Sequence, residues 1–324
     1  MRVLVVTNIT PDAAAPGRGS FVRDQVQALR AAGVDVELFS FPPGKRALAR
    51  SPFQIRRLLR RERFDLVHAH FGLAGWSAHL AGARPLVVTF HGTDVRHPAT
   101  GRLSRRLVSR IDVVAGASRA LFGQEGERRG LPARVPGAAA VLPCGADLGR
   151  FGSAPRREAR ERLGLDPGGR YLLFPAGAAR PEKRHDRALE VARRCGAQLL
   201  TLGGAEPASV PDWVNASAAV LVTSDNEGFG LAAVEALACD VPVLSTPVGV
   251  APTLLRGLEG CLAEPFDAER FSAVAARHLD APDPRVEGRS RAAWFSAERM
   301  AERVILAYRE VLHGAGGDFA ADLS

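Results

Sequence analysis

A regular alternation of short β-branched runs with amphipathic stretches limits the possible folds more than any other feature of the sequence. In the first half the runs are RVLVV (2–6), VDVELF (34–39), DLVHAH (65–70), PLVVTFH (85–91) and DVVAGAS (112–118). Mostly apolar runs are typical of strands buried on both faces, and the intervening stretches are long enough for crossover helices. Between the first two runs, Val22, Val26 and Leu29 recur at helical spacing. The first half therefore predicts a parallel sheet covered by helices.

The same alternation restarts after a segment rich in proline and glycine at 142–155, which we interpret as a hinge. The later runs are YLLFPAG (171–177), AQLLTLGG (197–204), AAVLVTS (218–224) and VPVLSTPVG (241–249). A chain of 324 residues also exceeds what one hydrophobic core usually serves. The sequence therefore predicts two Rossmann-like α/β domains with parallel sheets, facing each other across a cleft. We place them at 1–152 and 153–295, followed by a closing helix at 296–312 and a polar tail at 313–324.

The composition limits the cellular environment and the classes of partner that we expect. The four cysteines are too scattered for a disulfide scaffold or a zinc knuckle, so we expect reduced thiols in a cytoplasmic protein. The opening MRVLVVTNIT has too short an apolar core for a signal sequence or a membrane span, and predicts a buried strand of a soluble chain. The net charge of +8 calls for an anionic partner such as nucleotide phosphate, a membrane headgroup or nucleic acid, although GC-rich coding also produces arginine-rich chains.

The segment TSDNEGFGLAAVEALACDVPVLSTPVG at 223–249 carries the clearest chemical signal. It is typical of a strand end, a glycine-containing turn, a helix and a further strand. Gly228 and Gly230 allow a ligand to approach the backbone, and the free N–H groups at a helix start favour phosphate or sugar oxygens. If helical spacing runs from Glu227 to Glu235, the carboxylates stand ~12 Å apart along the axis and about 80° apart around it. They would then hold two parts of one long ligand.

This segment resembles a known family. Glu227-Gly-Phe-Gly-Leu with Glu235 is similar to the Glu-x7-Glu motif of the retaining glycosyltransferases of family 4, which have the GT-B fold. Further pieces follow in the order of that family over nearly the whole chain, namely a loop with Gly17 and Gly19, HGTD (91–94), LPCGAD with Phe151, and RPEK (180–183). The resemblance implies an acceptor-side first domain, a nucleotide-sugar donor domain, and a closing helix that crosses back to the first domain.

The resemblance also implies roles for the residues of the motif. Glu235 would hold the ribose hydroxyls of the nucleotide, and Glu227 would bind the donor sugar near the reacting centre. The backbone of the turn would hold pyrophosphate or sugar oxygens, through Gly228, Phe229, Gly230 and Leu231. Taken alone, Glu227 is also typical of a partner for a helix N-terminus, and Glu235 of an exposed helix charge.

Two cations follow the first strand of the second domain. Arg180 and Lys183 are placed to neutralise the charge that develops on a leaving nucleotide diphosphate, in which case no metal is required. The alternative is a solvated basic loop, since Arg184 and Arg187 are close by in the sequence. Arg180 departs from the family pattern, which more often has its arginine at the position of Ala178.

Polar residues also follow the strands of the first domain. The resemblance implies that His91 contacts the donor sugar or polarises groups near its anomeric carbon; the alternative is a core histidine. His68 and His70 alternate on one strand face, and without an evident third metal ligand we interpret them as cleft-lining or structural. His70 is also a candidate acceptor contact. Asp94 is predicted either to contact the acceptor or to cap the following turn.

The first domain offers two further features. Gly17 and Gly19 allow a loop to approach the donor phosphates or the acceptor; the alternative is a plain flexible turn. The segment lacks the third glycine of a dinucleotide fingerprint, so an NAD-binding dehydrogenase is disfavoured. The basic run at 45–64 suits a helix lying on anionic lipid, on the inner face of the plasma membrane. An ordinary surface helix packed on its own sheet is the alternative, and nucleic-acid binding is disfavoured because few aromatic residues are interleaved.

The implied function is transfer of a sugar with retention, from a nucleotide-diphosphate sugar to a cell-envelope, lipid-linked or small-molecule glycoside acceptor. We expect UDP-sugar in first place and GDP-sugar in second. The acceptor attacks from the face that the diphosphate leaves, and the diphosphate helps to remove its proton, so no protein base, metal or cofactor is expected. Two alternatives stay open, a nucleotide-sugar epimerase of the same fold and a non-catalytic subunit that binds nucleotide sugar.

Overall fold

The computed structural model describes residues 1–9, 19–123, 130–132, 134–283 and 285–313. The described chain divides into two compact units. Residues up to Gly145 and those from Ala297 onward form the first unit, and Ala146–Ser296 form the second. The boundary at Gly145 lies inside the proline-rich and glycine-rich segment, seven residues before the end that the sequence predicted for the first domain.

The first unit is a parallel sheet flanked by helices. Its strands are β1 Arg2–Thr7, β2 Asp35–Ser40, β3 Leu66–His70, β4 Leu86–Phe90, β5 Val113–Gly116 and β6 Ala138–Val141. Within the described residues they are arranged in the order β2-β1-β3-β4-β5-β6. The helices before the boundary are α1 Ser20–Ala31, α2 Lys45–Arg61, α3 Gly72–Ala81, α4 Thr93–Arg96 and α5 Pro98–Leu107, with short 3-10 turns at Val108–Arg110 and Arg119–Leu121.

The second unit repeats this architecture. Its strands are β7 Tyr171–Phe174, β8 Gln198–Thr201, β9 Val220–Val222, β10 Val243–Ser245 and β11 Leu262–Ala263. They are all parallel, in the order β11-β10-β9-β7-β8 over the described residues. The helices are α6 Arg156–Arg162, α7 His185–Arg194, α8 Val210–Ala216, α9 Leu231–Ala238, α10 Ala251–Leu254, α11 Ala268–Asp280 and α12 Arg289–Ala292, with 3-10 turns at Pro181–Lys183, Pro207–Ser209 and Ala293–Phe295.

The closing helix α13, Ala297–His313, packs into the core of the first unit, as the resemblance implied. Val304 and Tyr308 are fully buried there beside Val22, Val26 and Leu29 of α1, which confirms the helical spacing seen in the sequence. Full burial of such side chains stabilises the unit by roughly 1.5–3 kcal/mol each. The first and last helices of the described chain thus share one hydrophobic core.

Each sheet has one point where the strand order reverses. The chain leaves β1 toward β2 on one side and returns to β3 on the other, and it does the same around β7, between β8 and β9. In open α/β sheets, ligands bind outside the carboxyl ends of the strands at such points. Residues just after β1, β3, β7 and β9 are therefore the ones to inspect.

Two remaining sequence expectations concern the environment of the chain. All four cysteines are free thiols. Among the described residues, none of the helices combines the length and the apolar character that crossing a membrane requires.

Candidate functional site

A charged pair lies at the carboxyl ends of β7 and β9. Lys183 Nζ donates to both carboxylate oxygens of Glu227 at 2.6 Å, and the Ser224 hydroxyl donates to Glu227 Oε1 at 2.7 Å. The side chains of Lys183 and Glu227 are 14% and 13% exposed. Because charge-assisted hydrogen bonds are strong where water is largely excluded, each side chain fixes the position of the other.

Backbone contacts hold the two loops that carry this pair. Lys183 ends the 3-10 turn after β7, and Arg184 follows with φ +55°, in the left-handed region. The Thr223 hydroxyl donates to the carbonyl oxygen of Arg184 at 2.9 Å, and the Asp225 N–H donates to that of Glu182 at 2.9 Å. The loop after β7 is thereby attached to the loop after β9, which positions Lys183.

The pair borders a cavity of about 130 Å³. Its lining comes from the ends of β7 and β9, the two charged side chains and the start of α9, namely Phe174, Pro175, Ala176, Lys183, Leu221, Val222, Ser224, Glu227, Gly230, Leu231 and Ala232. Sites that enclose a whole small ligand usually measure roughly 300–1,000 Å³. A cavity of this size therefore receives one part of a larger ligand, and its lysine and free helix N–H groups favour an anionic part.

Two glycines shape the turn that leads into α9. Gly230 precedes the helix with φ +94°, which side-chain-bearing residues rarely adopt. At Gly249, where φ is +57°, a Cβ atom would stand 2.2 Å from the carbonyl oxygen of Phe229, and the Val250 N–H donates to that oxygen at 2.7 Å. This close approach fixes the turn from Glu227 to α9.

Glu227 precedes the helix and Glu235 lies within it, so the condition of continuous helical spacing between them is not met. The helix begins at Leu231, so Glu227 lies in the turn that precedes it, and the separations calculated for a continuous helix do not apply. The glycine at position 230 is the physical reason, because its left-handed backbone stops the helix from extending back to Glu227. Glu235 does lie within α9, partly exposed, and is outside the cavity lining.

The two cations predicted near the diphosphate differ in position. Lys183 lines the cavity, whereas Arg180 is half-exposed, is outside the lining, and pairs with Glu182 at 2.7 Å. Of the other residues of the turn, Gly230 and Leu231 line the cavity; Gly228 does not, and the buried Phe229 ring packs on Phe295 with centroids 5.5 Å apart. The structure thus brings Lys183, Glu227 and the start of α9 together, and leaves Arg180 outside.

In the first unit, a chain of aromatic and hydroxyl groups lies at the ends of β3 and β4. His70 Nδ1 and His91 Nε2 are 3.0 Å apart. The buried His68 hydrogen-bonds through Nδ1 to the Tyr308 hydroxyl at 2.6 Å and through Nε2 to the Thr89 hydroxyl at 2.7 Å. The partly exposed His91 is packed between Phe21 and Phe71, with centroid distances of 4.7 and 4.6 Å.

Burial keeps these imidazoles neutral. It lowers the pKa of His70 to about 3 and the pKa values of His68 and His91 well below their usual range, and repulsion between the rings adds to the effect for His68 and His91. Neutral imidazoles both donate and accept hydrogen bonds, which suits the recognition of hydroxyl groups. Among the described residues, His70 Nε2 has no hydrogen-bond partner.

Asp94 forms a backbone cap beside this cluster. Its Oδ1 accepts from the N–H groups of His91 and Gly92 at 3.0 Å, and its Oδ2 accepts from the N–H of Gly72 at 3.1 Å. Burial raises the pKa of Asp94 to about 6, although these hydrogen bonds oppose the shift. The capping alternative is therefore present in the structure, while contact with an acceptor stays a prediction.

Two glycines of the first unit were predicted to form a loop near the donor phosphates or the acceptor. Gly17 lies outside the described residues. Gly19 precedes α1 with φ +71°, and a Cβ there would stand 2.9 Å from the carbonyl oxygen of Ile9. Ser224 was not among the predicted site residues, although its position three residues before Glu227 and two residues after the end of β9 is a usable signal.

The sequence is similar to those of known glycosyltransferases. The model of Glycosyltransferase Family 4 matches residues 15–150, and that of Glycosyl transferases group 1 matches residues 171–281. The D-inositol 3-phosphate glycosyltransferase of Frankia alni is 30% identical over 78% of this chain and 75% of its own length. The protein of the same name from Segniliparus rotundus is 31% identical over 78% of this chain and 67% of its own.

The chain belongs to glycosyltransferase family 4.

Solved structures agree with the GT-B fold of this family 4 member. Sucrose-phosphate synthase from Thermosynechococcus elongatus superimposes with a TM-score of 0.75 at 19% identity, over 97% of this chain and 100% of that one. HepE of Anabaena in complex with UDP-glucose gives a TM-score of 0.63 at 18% identity, over 97% and 99%. The predicted architecture of two parallel-sheet α/β domains is confirmed.

Proposed function

We propose that the chain transfers a sugar, with retention at the anomeric carbon, from a nucleotide-diphosphate sugar bound in its second unit. The observation that carries this proposal is the Lys183–Glu227 pair, which lies beside the start of α9 where the strand order reverses. A fixed ammonium group and free helix N–H groups suit a diphosphate, whose negative charge grows as the bond to the sugar breaks.

Each side chain has a distinct proposed role. Lys183 binds the diphosphate and stabilises it as a leaving group. Glu227, which Ser224 and Lys183 hold in place, accepts hydrogen bonds from hydroxyl groups of the donor sugar. Glu235 holds the ribose, and Arg180 contributes less than Lys183 because Glu182 already pairs with it. Since the lysine supplies the positive charge, we propose that transfer proceeds without a metal ion.

The first unit supplies neutral groups. As the family resemblance implies, His91 contacts the donor sugar, and His70 and Asp94 are acceptor-side candidates. The neutral state of His91 favours a hydrogen bond to a sugar hydroxyl rather than an ion pair with phosphate. Because none of these groups is a strong base, the departing diphosphate is proposed to take the acceptor proton.

UDP-sugars are the first donors to test, and GDP-sugars the second. Support for uridine comes from HepE, whose solved complexes contain UDP and UDP-glucose. For the acceptor, D-inositol 3-phosphate is the first compound to test because curated relatives carry that name. Lipid-linked and cell-envelope glycosides are the next group.

The test is incubation of the protein with UDP-glucose and D-inositol 3-phosphate, followed by NMR of the product. The proposal predicts a new glycoside whose anomeric configuration matches that of the donor, formed equally well with EDTA. Glu227→Gln should abolish it, while Arg180→Ala should retain most of it. Conversion of the donor to another sugar nucleotide without acceptor would support the epimerase instead. Donor binding without product across the donor and acceptor panel would support the non-catalytic subunit.

A peripheral position on anionic membrane is the second part of the proposal. Helix α2 packs against α3, with Ile55 fully buried and the Ser51 hydroxyl donating to the Ser77 hydroxyl at 2.7 Å. Its opposite face carries Phe53, which is 73% exposed, and a set of exposed cations, Lys45, Arg46, Arg50, Arg57, Arg60 and Arg61. Such a face suits attraction to anionic lipid with shallow insertion of one aromatic ring.

Vesicle flotation tests this part. The protein should float with vesicles rich in phosphatidylglycerol and remain behind with pure phosphatidylcholine. Joint replacement of Arg57, Arg60 and Arg61 by glutamine should abolish flotation, whereas replacement of Arg193 and Arg194 on α7 should not. Equal behaviour of the two variants would remove α2 as the membrane-binding face.

A further inference from the structure

A second, larger groove lies in the same unit as the donor cavity. It is next to the amino end of the edge strand β11. It has a volume of about 790 Å³ and is bounded by the turn 257–261, helix α11 between Arg270 and His278, and the segment 285–291. The turn leads directly into the amino end of β11, whereas the donor cavity lies at the carboxyl ends of β7 and β9. The two sites have no lining residue in common.

The charged side chains of this groove are unevenly satisfied. Four arginines and two glutamates line it, namely Arg270, Arg277, Arg285, Arg291, Glu259 and Glu287. Arg270 pairs with Glu264 at 3.3 Å, and Arg285 pairs with Asp283 at 2.9 Å, both with partners outside the lining. Within the part of the chain that the structure describes, the guanidinium groups of Arg277 and Arg291 form neither a hydrogen bond nor an ion pair. Two cations of one groove thus have no ion-pair partner among the described residues.

Hydroxyl-binding groups accompany these cations. The carboxylates of Glu259 and Glu287 line the groove and form no ion pair with another described residue. His278 Nε2 is 2.7 Å from the carbonyl oxygen of Gly260, so this nitrogen donates and Nδ1 of the neutral ring is left as an acceptor. Planar guanidinium groups match phosphate oxygens, and carboxylates accept hydrogen bonds from sugar hydroxyls.

We propose that this groove binds a phosphorylated polyol of small-molecule size, with Arg277 and Arg291 on the phosphate and Glu259 and Glu287 on the hydroxyls. Its volume falls in the range of roughly 300–1,000 Å³ that is usual for small-molecule sites. This ligand is distinct from the sugar donor and its acceptor, which react at the carboxyl ends of β7 and β9, because the groove shares no lining residue with that cavity and its turn 257–261 precedes β11.

Calorimetric titration with fructose 6-phosphate, in the presence of saturating UDP, tests this proposal. The wild-type protein should bind the hexose phosphate, and Arg277→Ala/Arg291→Ala should bind it at least about tenfold more weakly, since each arginine contributes a charge-assisted hydrogen bond. Arg193→Ala serves as the matched control, because this exposed arginine of α7 lies outside both linings. Fructose should not bind, and inorganic phosphate should bind more weakly than the hexose phosphate.

Three results would overturn the proposal. The first is no binding of fructose 6-phosphate to the wild-type protein. The second is equal binding by the double variant, which would place the ligand elsewhere on the chain. The third is equal affinity for inorganic phosphate, which would reduce the groove to a general anion site. Thermal unfolding of each variant verifies that loss of binding is not loss of the fold.

Discussion

The two units share a sheet topology but use their strand ends in different ways. In the second unit the ends of β7 and β9 carry a charged pair, Lys183 and Glu227, beside a small cavity. In the first unit β3 carries His68 and ends at His70, and His91 follows β4; burial keeps all three neutral. The same scaffold thus presents fixed charge on one sheet and neutral hydrogen-bonding groups on the other.

This difference corresponds to two kinds of chemistry. A diphosphate requires positive charge, and the free energy gained from that charge is large where water is excluded. Hydroxyl groups require donors and acceptors without net charge. In the proposed function, the charged strand ends of the second unit bind the phosphate-bearing part of the substrates and the neutral strand ends of the first unit bind hydroxyl groups.

Removal of the charge in the second unit should have the largest effect. We expect Lys183→Ala to lower kcat/KM by roughly 10²–10³, the range seen when one group that stabilises a developing charge is removed. Arg180→Ala, the matched control, should lower it by less than about tenfold because its exposed pair with Glu182 contributes little. Steady-state kinetics with UDP-sugar decide this, and equal losses in the two variants would contradict the distinction between them.

Removal of the cap in the first unit should mainly affect stability. Asp94→Ala leaves three backbone N–H groups without their acceptor, and we expect it to lower the free energy of unfolding by about 2–4 kcal/mol. Asp147→Ala is the control, since this exposed aspartate accepts from Gly149 and Arg150 in a surface turn and should cost about 1 kcal/mol or less. Urea unfolding measures both, and a similar small loss for both would show that the Asp94 cap is not needed.

Neutrality of the histidines predicts a pH dependence. A buried histidine with a lowered pKa binds fewer protons in the folded state than in the unfolded state, so stability is complete above about pH 6.5 and falls as the pH falls below it. Asp94, whose pKa is raised to about 6, has the opposite effect, because its protonation between about pH 6 and 4 favours the folded state. This one carboxyl group offsets only part of the loss of stability from the three histidines. Unfolding measured from pH 7 to 5 should therefore show a net loss of stability.

His70→Gln isolates one of these groups. It should reduce the slope of stability against pH near pH 5 by up to about 1.4 kcal/mol per pH unit, the value for one proton. An unchanged slope would mean that His70 is already protonated in the folded protein at that pH, and that the first edge is not neutral.

The smallest effect is expected at the closing helix. Tyr308→Phe removes the hydroxyl that bonds to His68 and should lower the free energy of unfolding by about 1 kcal/mol. Tyr171→Phe is the control, because the only other tyrosine of the chain forms no hydrogen bond through its hydroxyl within the described residues. Equal stability of both variants would show that the hydroxyl chain does not hold α13.

Most strands could be predicted from the sequence, but β6 and β11 could not. Runs such as RVLVV and YLLFPAG have the β-branched or apolar continuity of buried strands, and the structure confirms strands there. Strand β6 reads AAAV, and alanine has little preference for strands; β11 has only two residues. Both owe their conformation to pairing with a neighbouring strand, which a local pattern does not contain.

The site was predictable as a set of residues but not as a set of contacts. The motif placed Glu227 and Lys183 at strand ends, yet their contact joins residues 44 positions apart and depends on how the two loops are attached to each other. Similarly, Tyr308 lies within the predicted closing helix, but nothing local in the sequence indicates its partner His68, which lies 240 residues away. Such pairs follow from strand order and helix packing, and these are properties of the whole fold.

The most direct test of the account is the binding of nucleotide diphosphates to the second unit. Thermal shifts should be recorded with UDP, GDP, ADP, TDP and CDP, with and without magnesium, for the wild-type protein and Glu235→Ala. We predict a metal-independent stabilisation of about 2–3 kcal/mol by UDP at roughly a hundredfold excess over its Kd, lost in Glu235→Ala. The absence of a shift with any of the nucleotides would contradict a donor site at the ends of β7 and β9.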